Sequence, residues 1–296
     1  MSFNDFSDYT IKFDRLDARI SDPKRQNKYY LRWREKYANT FKTENKLLIA
    51  IEWDLRCKRA LREIFSSATF YVEAKKNLEM RCFSSYYFCL YYALFHAMYS
   101  CAFLDTELTV NQLLEMTHSN LPNVFTSAHG NSKNDMLSRD VEELFVELRH
   151  KREYYSYFTP FNNLFDYRED LEKLEPVLLD CYQLTSFLSL IAEKSYRKNV
   201  GGITQIACSE DRLNFEALFS NMFSKQSPSG HNLLDSSCEI LKGELLQHGL
   251  IPEYISLDIE HQFDEFHTYD NYYGYDSNES ALNILDIWAL VAKALL

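Results

Sequence analysis

The stretch MRCFSSYYFCLYYALFHAMYSCAFL, residues 80–104, decides the fold of this chain. Its aromatic and aliphatic side chains fall on every side of a helix, and a helix that is apolar all round is buried in a core. Because it carries Arg81 and His96 within 25 residues, it suits the centre of a helical bundle better than a lipid bilayer. We therefore predict a central buried helix over Glu79–Phe103.

Apolar residues recur at helical spacing on both sides of this stretch. The period predicts three more long helices, over 44–77, 136–157 and 166–198. Shorter helices are predicted at 29–37, 110–116, 211–223, 232–248 and 280–296. Helical segments therefore account for most of the chain.

The expected fold class is all-α. We expect a four-helix up-down bundle over 44–198, with an N-terminal extension at 1–43 and an acidic helical C-terminal region at 203–296. The chain holds only 7 Gly and 6 Pro, which argues against turn-dense β-sandwiches and glycine-loop nucleotide-binding folds. No GxGxxG, GxxxxGK[ST] or GxSxG stretch occurs, so dinucleotide, P-loop and hydrolase functions have no anchor in the sequence.

The 7 cysteines are scattered and include no CxxC pair. They predict reduced thiols, and neither a disulfide framework nor a zinc site. The N-terminus lacks the order of a signal peptide, and no run reaches the about 20 apolar residues of a membrane helix. These features predict a cytoplasmic protein without a cofactor, a bound metal or a membrane partner.

Charge is distributed unevenly along the chain, whose net charge is −11. Residues 1–80 hold 17 Lys and Arg against 12 Asp and Glu, whereas residues 201–296 hold 4 against 15. The two ends therefore have opposite partners or contact each other. The densest basic stretch contains Arg56, Arg59 and Arg62, which suits contact with RNA phosphates or a solvated helix face.

Three pieces of the sequence, in order, are similar to motifs of one family. They are R-x4-Y-Y-x3-Y-Y-A-x-F-H-A at 81–97 followed by A-F-L at 102–104, T-H-S at 117–119 with V-F at 124–125, and L-x3-L-R-x2-R-E-Y-Y at 144–155. Together they resemble the HEPN domains, four-helix domains of prokaryotic toxin–antitoxin, defence and nucleotidyltransferase-associated proteins. The resemblance covers about 44–198 and implies a homodimer through the bundle.

Many HEPN domains are metal-independent ribonucleases with an R-x4–6-H motif, and this chain departs from that motif. His150 directly follows Arg149, and Arg152 has no His in the ten residues after it. What the chain keeps is the Arg-then-Tyr ending of the branch that binds nucleotides or partners. A rearranged catalytic site of Arg149, His150 and Arg152 is the alternative, with Arg81 or His96 from a neighbouring helix.

Candidate binding residues follow from their chemistry. Guanidinium groups grip phosphates, aromatic rings stack on bases, and His96 changes charge near neutral pH. The candidates are Arg56, Arg59, Arg81, His96, Arg152, Tyr154 and Tyr155. Each also has a structural alternative: Arg152 pairs with a carboxylate inside the bundle, and the tyrosines and His96 pack in its core. His118 lies in a polar stretch and is expected to be exposed.

The stretch 258–275 combines Asp, Glu and His with several tyrosines. These ligand types suit divalent metals, but His261 and His267 lack the i, i+4 spacing of a helical metal pair. An acidic, tyrosine-rich surface for a basic protein partner, centred on 267–275, fits the composition better than a metal site, and a plain surface loop is the remaining alternative.

Three functions follow. The first is a HEPN-like binding or scaffold component of a prokaryotic defence or toxin–antitoxin-type system that binds nucleotide or RNA. The second is a metal-independent ribonuclease with a rearranged Arg/His site. The third is a structural protein-interaction module.

Overall fold

The computed structural model describes residues 2–130, 136–137, 140–158, 167–226, 232–233, 236–272 and 279–296. A 3-10 turn, Phe3–Phe6, precedes α1 Asp14–Arg19, α2 Pro23–Thr40, α3 Lys46–Glu79, α4 Phe83–Phe103, α5 Val110–Leu114 and α6 Leu121–Phe125. After a π-helical turn, Thr126–Gly130, come α7 Asp140–Tyr157, α8 Tyr167–Asn199, α9 Ser209–Phe223, α10 Ser236–His248, α11 Ile255–Tyr272 and α12 Glu279–Leu295. A two-residue antiparallel ladder joins β1 Lys225–Gln226 to β2 Asn232–Leu233.

The all-α fold class is confirmed, and the predicted long helices match α3, α7 and α8 to within about one turn. The central helix begins at Phe83, later than predicted, because the chain turns sharply after α3. Helix α11 was not predicted from its acidic sequence. Its apolar residues Ile255, Ile259 and Phe263 recur every fourth position and are buried.

Helices α3 and α4 form an antiparallel pair. The side chain of Asn45 accepts the Leu48 N–H at 3.1 Å and caps the start of α3. The hydroxyl of Ser67 donates to the carbonyl of Ala93 at 2.6 Å. This hydrogen bond joins the two helices near the middle of each.

Helices α7 and α8 pack against α4. The ring of Tyr155 on α7 stacks on Tyr87, with centroids 4.9 Å apart. The Tyr87 hydroxyl donates to Asp170 at 2.9 Å, and Nζ of Lys151 lies 2.6 Å from the same carboxylate. Because these polar groups are buried together, they satisfy one another inside the bundle. This contact holds the end of α7 at a fixed position on α4.

The regions before and after the predicted bundle share its hydrophobic core. Trp33 of α2 and Val291 of α12 are fully buried in the same cluster as Leu94 of α4. Phe65 and Phe263 meet edge to face, 5.5 Å apart, and join α3 to α11. The division of the chain into three domains stays a prediction, although the described parts of all three regions contribute to one core.

In the parts of the chain that the structure describes, no helix has both the length and the apolar character that a membrane crossing requires.

Candidate functional site

Arg152, Tyr91 and His118 come together where α4 meets α7. The guanidinium carbon of Arg152 lies 4.5 Å from the centroid of the Tyr91 ring. The Tyr91 hydroxyl is hydrogen-bonded to Nδ1 of His118, 2.9 Å away. Tyr91 is fully buried, whereas Arg152 keeps 20% of its side chain exposed. The Tyr91 ring therefore packs against one face of the Arg152 guanidinium, and the exposed part of that guanidinium is open to a ligand.

The charges around this group favour an anion that arrives from solvent. Arg149 lies one turn before Arg152 and pairs with Glu153 at 3.1 Å. The carboxylate of Glu153 is also 3.5 Å from Arg152. Both pairs are partly exposed, and such ion pairs are weak enough for a phosphate to replace the carboxylate. Burial and the nearby Arg152 lower the pKa of His118, so its ring is neutral at pH 7.

A second polar group lies more than one turn further along α4, on the side that contacts α3. Nδ1 of His96 is 2.5 Å from Glu63, and Arg59 is 2.6 Å from the other oxygen of that carboxylate. Burial alone would raise the pKa of Glu63, but Arg59 and His96 overcome it and hold the pKa below its usual value. The carboxylate therefore fixes the ring of His96 with Nε2 turned away from Glu63.

Aromatic rings line the surface beside these two polar groups. Phe88 is 43% exposed, and Tyr92 and Phe70 are half-buried beside it. The Phe70 ring lies parallel to His96, with centroids 5.3 Å apart and an interplanar angle of 9°. The α4 surface between α3 and α7 thus offers aromatic faces next to cations.

The predicted catalytic group of Arg149, His150 and Arg152 does not converge. Arg152 faces Tyr91, whereas His150 is on the opposite side of α7, because residues two apart on a helix point about 160° apart. His150 lines an open groove of about 690 Å³. The other residues of that groove are Thr126, Glu142, Glu143, Val146 and Glu147. This acidic surface does not suit an RNA phosphate.

The two tyrosines that follow Arg152 have different surroundings. Tyr155 is fully buried and stacks on Tyr87, so it packs in the core, which was the structural alternative to ligand binding. Tyr154 is half-buried and stacks on Phe158, with centroids 6.1 Å apart. Only Tyr154 therefore has a ring that a ligand can reach.

Arg56 and Arg59 are not a free basic surface. Arg56 is buried, and it donates to three carbonyl oxygens and pairs with Glu52 at 2.6 Å. Those carbonyls belong to Phe103, Asp105 and Leu108. Arg59 donates to the carbonyl of Met222 at 3.1 Å as well as pairing with Glu63. The basic face that the sequence offered to RNA is covered by the rest of the chain.

Arg81 is exposed in the turn between α3 and α4. It precedes the N-terminal end of α4, whereas His96 lies in the C-terminal half of that helix. Arg81 adopts a left-handed conformation, with a φ of 58°, and this ends α3. The N–H of Cys82 then donates to the carbonyl of Asn77 at 2.8 Å, the six-to-one hydrogen bond of a helix C-cap. Arg81 therefore has a backbone role at this turn.

The acidic stretch 258–275 contributes to intramolecular contacts where it is described. Asp258 binds Lys58 at 2.5 Å, and His261 binds Glu244 at 2.9 Å. The predicted partner surface at 267–275 cannot be placed, because residues 273–275 and the side chains of 267–272 lie outside what the structure describes. Across the described part of the chain, no group of three or more His, Cys, Asp or Glu side chains could hold a metal ion.

His118 and Tyr91 are the site residues that sequence reasoning missed. His118 was expected to be exposed, but it is half-buried against Phe95, with ring centroids 4.5 Å apart. Both residues lie within the motifs at 81–97 and 117–119, which was the available signal. Whether they share a site with Arg152 depends on how α7 packs, and no local pattern reports that.

Comparison with known proteins finds no match for this chain: no protein-family model, no curated protein and no solved structure is similar to it. The likeness to HEPN domains stays a prediction from the residues. Function is therefore inferred from the geometry of the α4–α7 face.

Proposed function

We propose that this chain is a binding module for a phosphorylated nucleotide, free or within RNA, and that it acts without cutting its ligand. The observation that carries the proposal is the guanidinium of Arg152, stacked on Tyr91 beside His118 with its edge open to solvent. Arg149 supplies a second guanidinium one turn away. Forked cations next to aromatic faces are the groups that hold a phosphate and stack a base.

The arrangement of the helices supports a HEPN-like module. Contacts run from Ser67 to Ala93, from Tyr91 to Phe145 and from Tyr71 to Glu175. They fit an up-down order of α3, α4, α7 and α8, as the resemblance implies. With that resemblance we propose a component of a prokaryotic defence or toxin–antitoxin-type system, assembled as a homodimer.

A ribonuclease is the second candidate, and one observation favours it. The imidazole of His118 is hydrogen-bonded to Tyr91 and is near enough to Arg152 for that cation to lower its pKa, so an Arg and a His share this site even though His150 faces elsewhere. A neutral imidazole can accept the proton of a 2′-hydroxyl, and a guanidinium can stabilise the phosphate charge that develops. The same experiment separates the two candidates.

The test is fluorescence anisotropy of a short labelled RNA in EDTA, with unlabelled nucleotides as competitors. We expect Arg152→Ala to weaken binding about tenfold or more, since a hydrogen bond to a charged group contributes about 1.5–3 kcal/mol. Arg152→Lys should fall between Arg152→Ala and the wild type, because it keeps the charge and loses the fork. Raising the salt from about 50 to about 200 mM should weaken binding further.

Two variants serve as matched controls. His150→Ala changes the other side of α7, and Lys173→Ala removes an exposed cation that pairs with Glu169 on α8. Both should bind as the wild type does, and equal losses in Lys173→Ala and Arg152→Ala would contradict a specific site. Cleavage of the RNA that His118→Ala abolishes would replace the binding module by the ribonuclease.

A further inference from the structure

Three rings on α4 follow one another at successive turns of the helix. Phe88, Tyr92 and His96 are spaced four residues apart, and Phe70 of α3 lies beside them. We call these four residues the aromatic row. Its members lie toward solvent to different degrees: Phe88 is 43% exposed, His96 keeps 21% of its side chain exposed, and the other two are half-buried.

Contacts within the row hold its rings in place. Phe70 stacks on Tyr92 with centroids 5.5 Å apart, and Phe88 packs on Tyr92 at 4.6 Å. His96 is fixed at Nδ1 by Glu63, and Phe70 stacks on one face of its ring. A ligand that stacks on these rings therefore orders few side chains as it binds, which favours affinity.

The row is adjacent to the cations of the proposed phosphate site. Tyr92 contacts Tyr91 edge to face at 5.3 Å and contacts His118 at 5.5 Å. Tyr91 in turn supports Arg152. A nucleotide whose phosphate lies at Arg152 can therefore reach the rings of α4 with its base.

We infer that the aromatic row stacks the unpaired bases of single-stranded RNA, and that this makes single-stranded RNA the ligand class of the proposed site. The inference rests on the proposed function for its phosphate contacts. Residues four apart on a helix are separated by about 6 Å along its axis. That separation is nearly twice the about 3.4 Å between stacked nucleotides of one strand, so an unstacked strand fits the row and a duplex does not.

The chemistry of the row favours RNA over a protein partner. Its one strongly exposed ring, Phe88, offers a small apolar area, whereas a stable protein interface buries about 800 Å² on each side. His96 and His118 interrupt the apolar surface, and Arg149 and Arg152 border it. Cations beside aromatic faces match the phosphates and bases of a single strand.

The experiment compares four probes in the same anisotropy assay with the full chain. They are a single-stranded RNA, the same strand annealed to its complement, an abasic oligomer of equal length, and adenosine monophosphate as a competitor. The wild type should prefer the single strand over the duplex and the abasic oligomer. Phe88→Leu and Tyr92→Leu keep apolar volume and remove a π-face, and each should weaken the single strand about tenfold without changing the abasic oligomer.

The outcomes separate the inference from the function on which it rests. Equal binding of the single strand and the abasic oligomer, unchanged by Phe88→Leu, would overturn the stacking role and leave phosphate binding intact. Loss of every probe in Arg152→Ala supports the phosphate site, whereas unchanged binding in that variant overturns the proposed function. Light scattering that shows a dimer in the wild type and a monomer in Phe88→Leu would assign the row to a protein interface and overturn the inference. Phe88→Trp keeps an aromatic ring at this position, so it should bind the single strand as the wild type does, in contrast to Phe88→Leu.

Discussion

At the scale of single residues, His129 is buried in its neutral form. Its Nδ1 lies 3.0 Å from the hydroxyl of Tyr29, and its ring stacks on Trp33 at 5.4 Å. Burial, with the nearby charge of Arg32, lowers the pKa of His129 to about 3. Between pH 3 and the ordinary pKa of 6.5, the unfolded chain therefore binds a proton that the folded chain does not.

We expect this difference to make the wild type lose stability in mild acid more steeply than the variant His129→Gln. The contribution of a neutral His129 is complete above pH 6.5 and is lost as the pH falls toward 3. The free energy of unfolding of the wild type should fall relative to the variant by about 1.4 kcal/mol per pH unit. Urea denaturation at about pH 7, 6 and 5 measures it.

Glutamine can still accept a hydrogen bond from Tyr29, so His129→Gln removes the titration and keeps the contact. His261→Gln on α11 is the matched control, because His261 is 54% exposed. A pH dependence in His129→Gln equal to that of the wild type would show that His129 takes up a proton in the folded state.

At the scale of elements, the turn between α3 and α4 carries the cost of a left-handed residue. Arg81 has a φ of 58°, a conformation that costs an L-residue about 1–2 kcal/mol and that glycine adopts freely. The hydrogen bond from Cys82 to Asn77 holds the chain in this conformation. The predicted central helix ran through this turn because neither glycine nor proline marks it in the sequence.

We expect Arg81→Gly to stabilise the chain by about 0.5 kcal/mol, since the relief of strain exceeds the added entropy of the unfolded chain. The midpoint of urea unfolding should rise, and it should not rise in Arg81→Ala, which keeps the strained conformation. RNA binding should be unchanged in both variants. A loss of RNA binding in both Arg81→Gly and Arg81→Ala would show that the Arg81 side chain contributes to binding.

At the scale of the whole molecule, the uneven charge of the chain is partly neutralised by its own fold. Nζ of Lys58 on α3 lies 2.8 Å from Glu253 and 2.5 Å from Asp258, and its side chain is 8% exposed. Asp54 accepts the N–H of Ile251 at 3.0 Å. Burial raises the pKa of Asp54 to about 7. Basic and acidic parts of the chain therefore contact each other here, one of the two alternatives that the charge pattern left open.

We expect Lys58→Met to lower the free energy of unfolding by about 3 kcal/mol or more. Removing this cation leaves the carboxylate of Asp258 buried and without its charge partner, which is costly. Circular dichroism and tryptophan fluorescence should follow one transition, because Trp33 and Trp288 belong to or pack on one core. Lys173→Met, which breaks an exposed pair, should cost less than about 1 kcal/mol.

A normal stability in Lys58→Met would mean that the ion pairs of Lys58 with Glu253 and Asp258 contribute nothing to folding. Two separate transitions in the wild type would mean that the helices after 203 unfold independently, as the sequence-based domain division implies.

The sequence by itself determined the helical elements, because the period of apolar residues is a local property that each segment carries without its neighbours. It determined the central position of α4 for the same reason, since a segment that is apolar on every side has to be surrounded. It also pointed to Arg152 and to the chain's opposite charges. Helix α11 was not predicted, because its acidic residues are interleaved with the apolar ones.

Tertiary structure alone decided which of these residues meet. Whether Arg152 joins His150 or His118 depends on the face that α7 turns to α4, and that face is set by contacts such as Tyr87 with Tyr155 between residues far apart in sequence. The burial of Arg56 likewise depends on carbonyls contributed by another segment. Side-chain type is written in the sequence, but the partners of a side chain follow from the packing of whole helices.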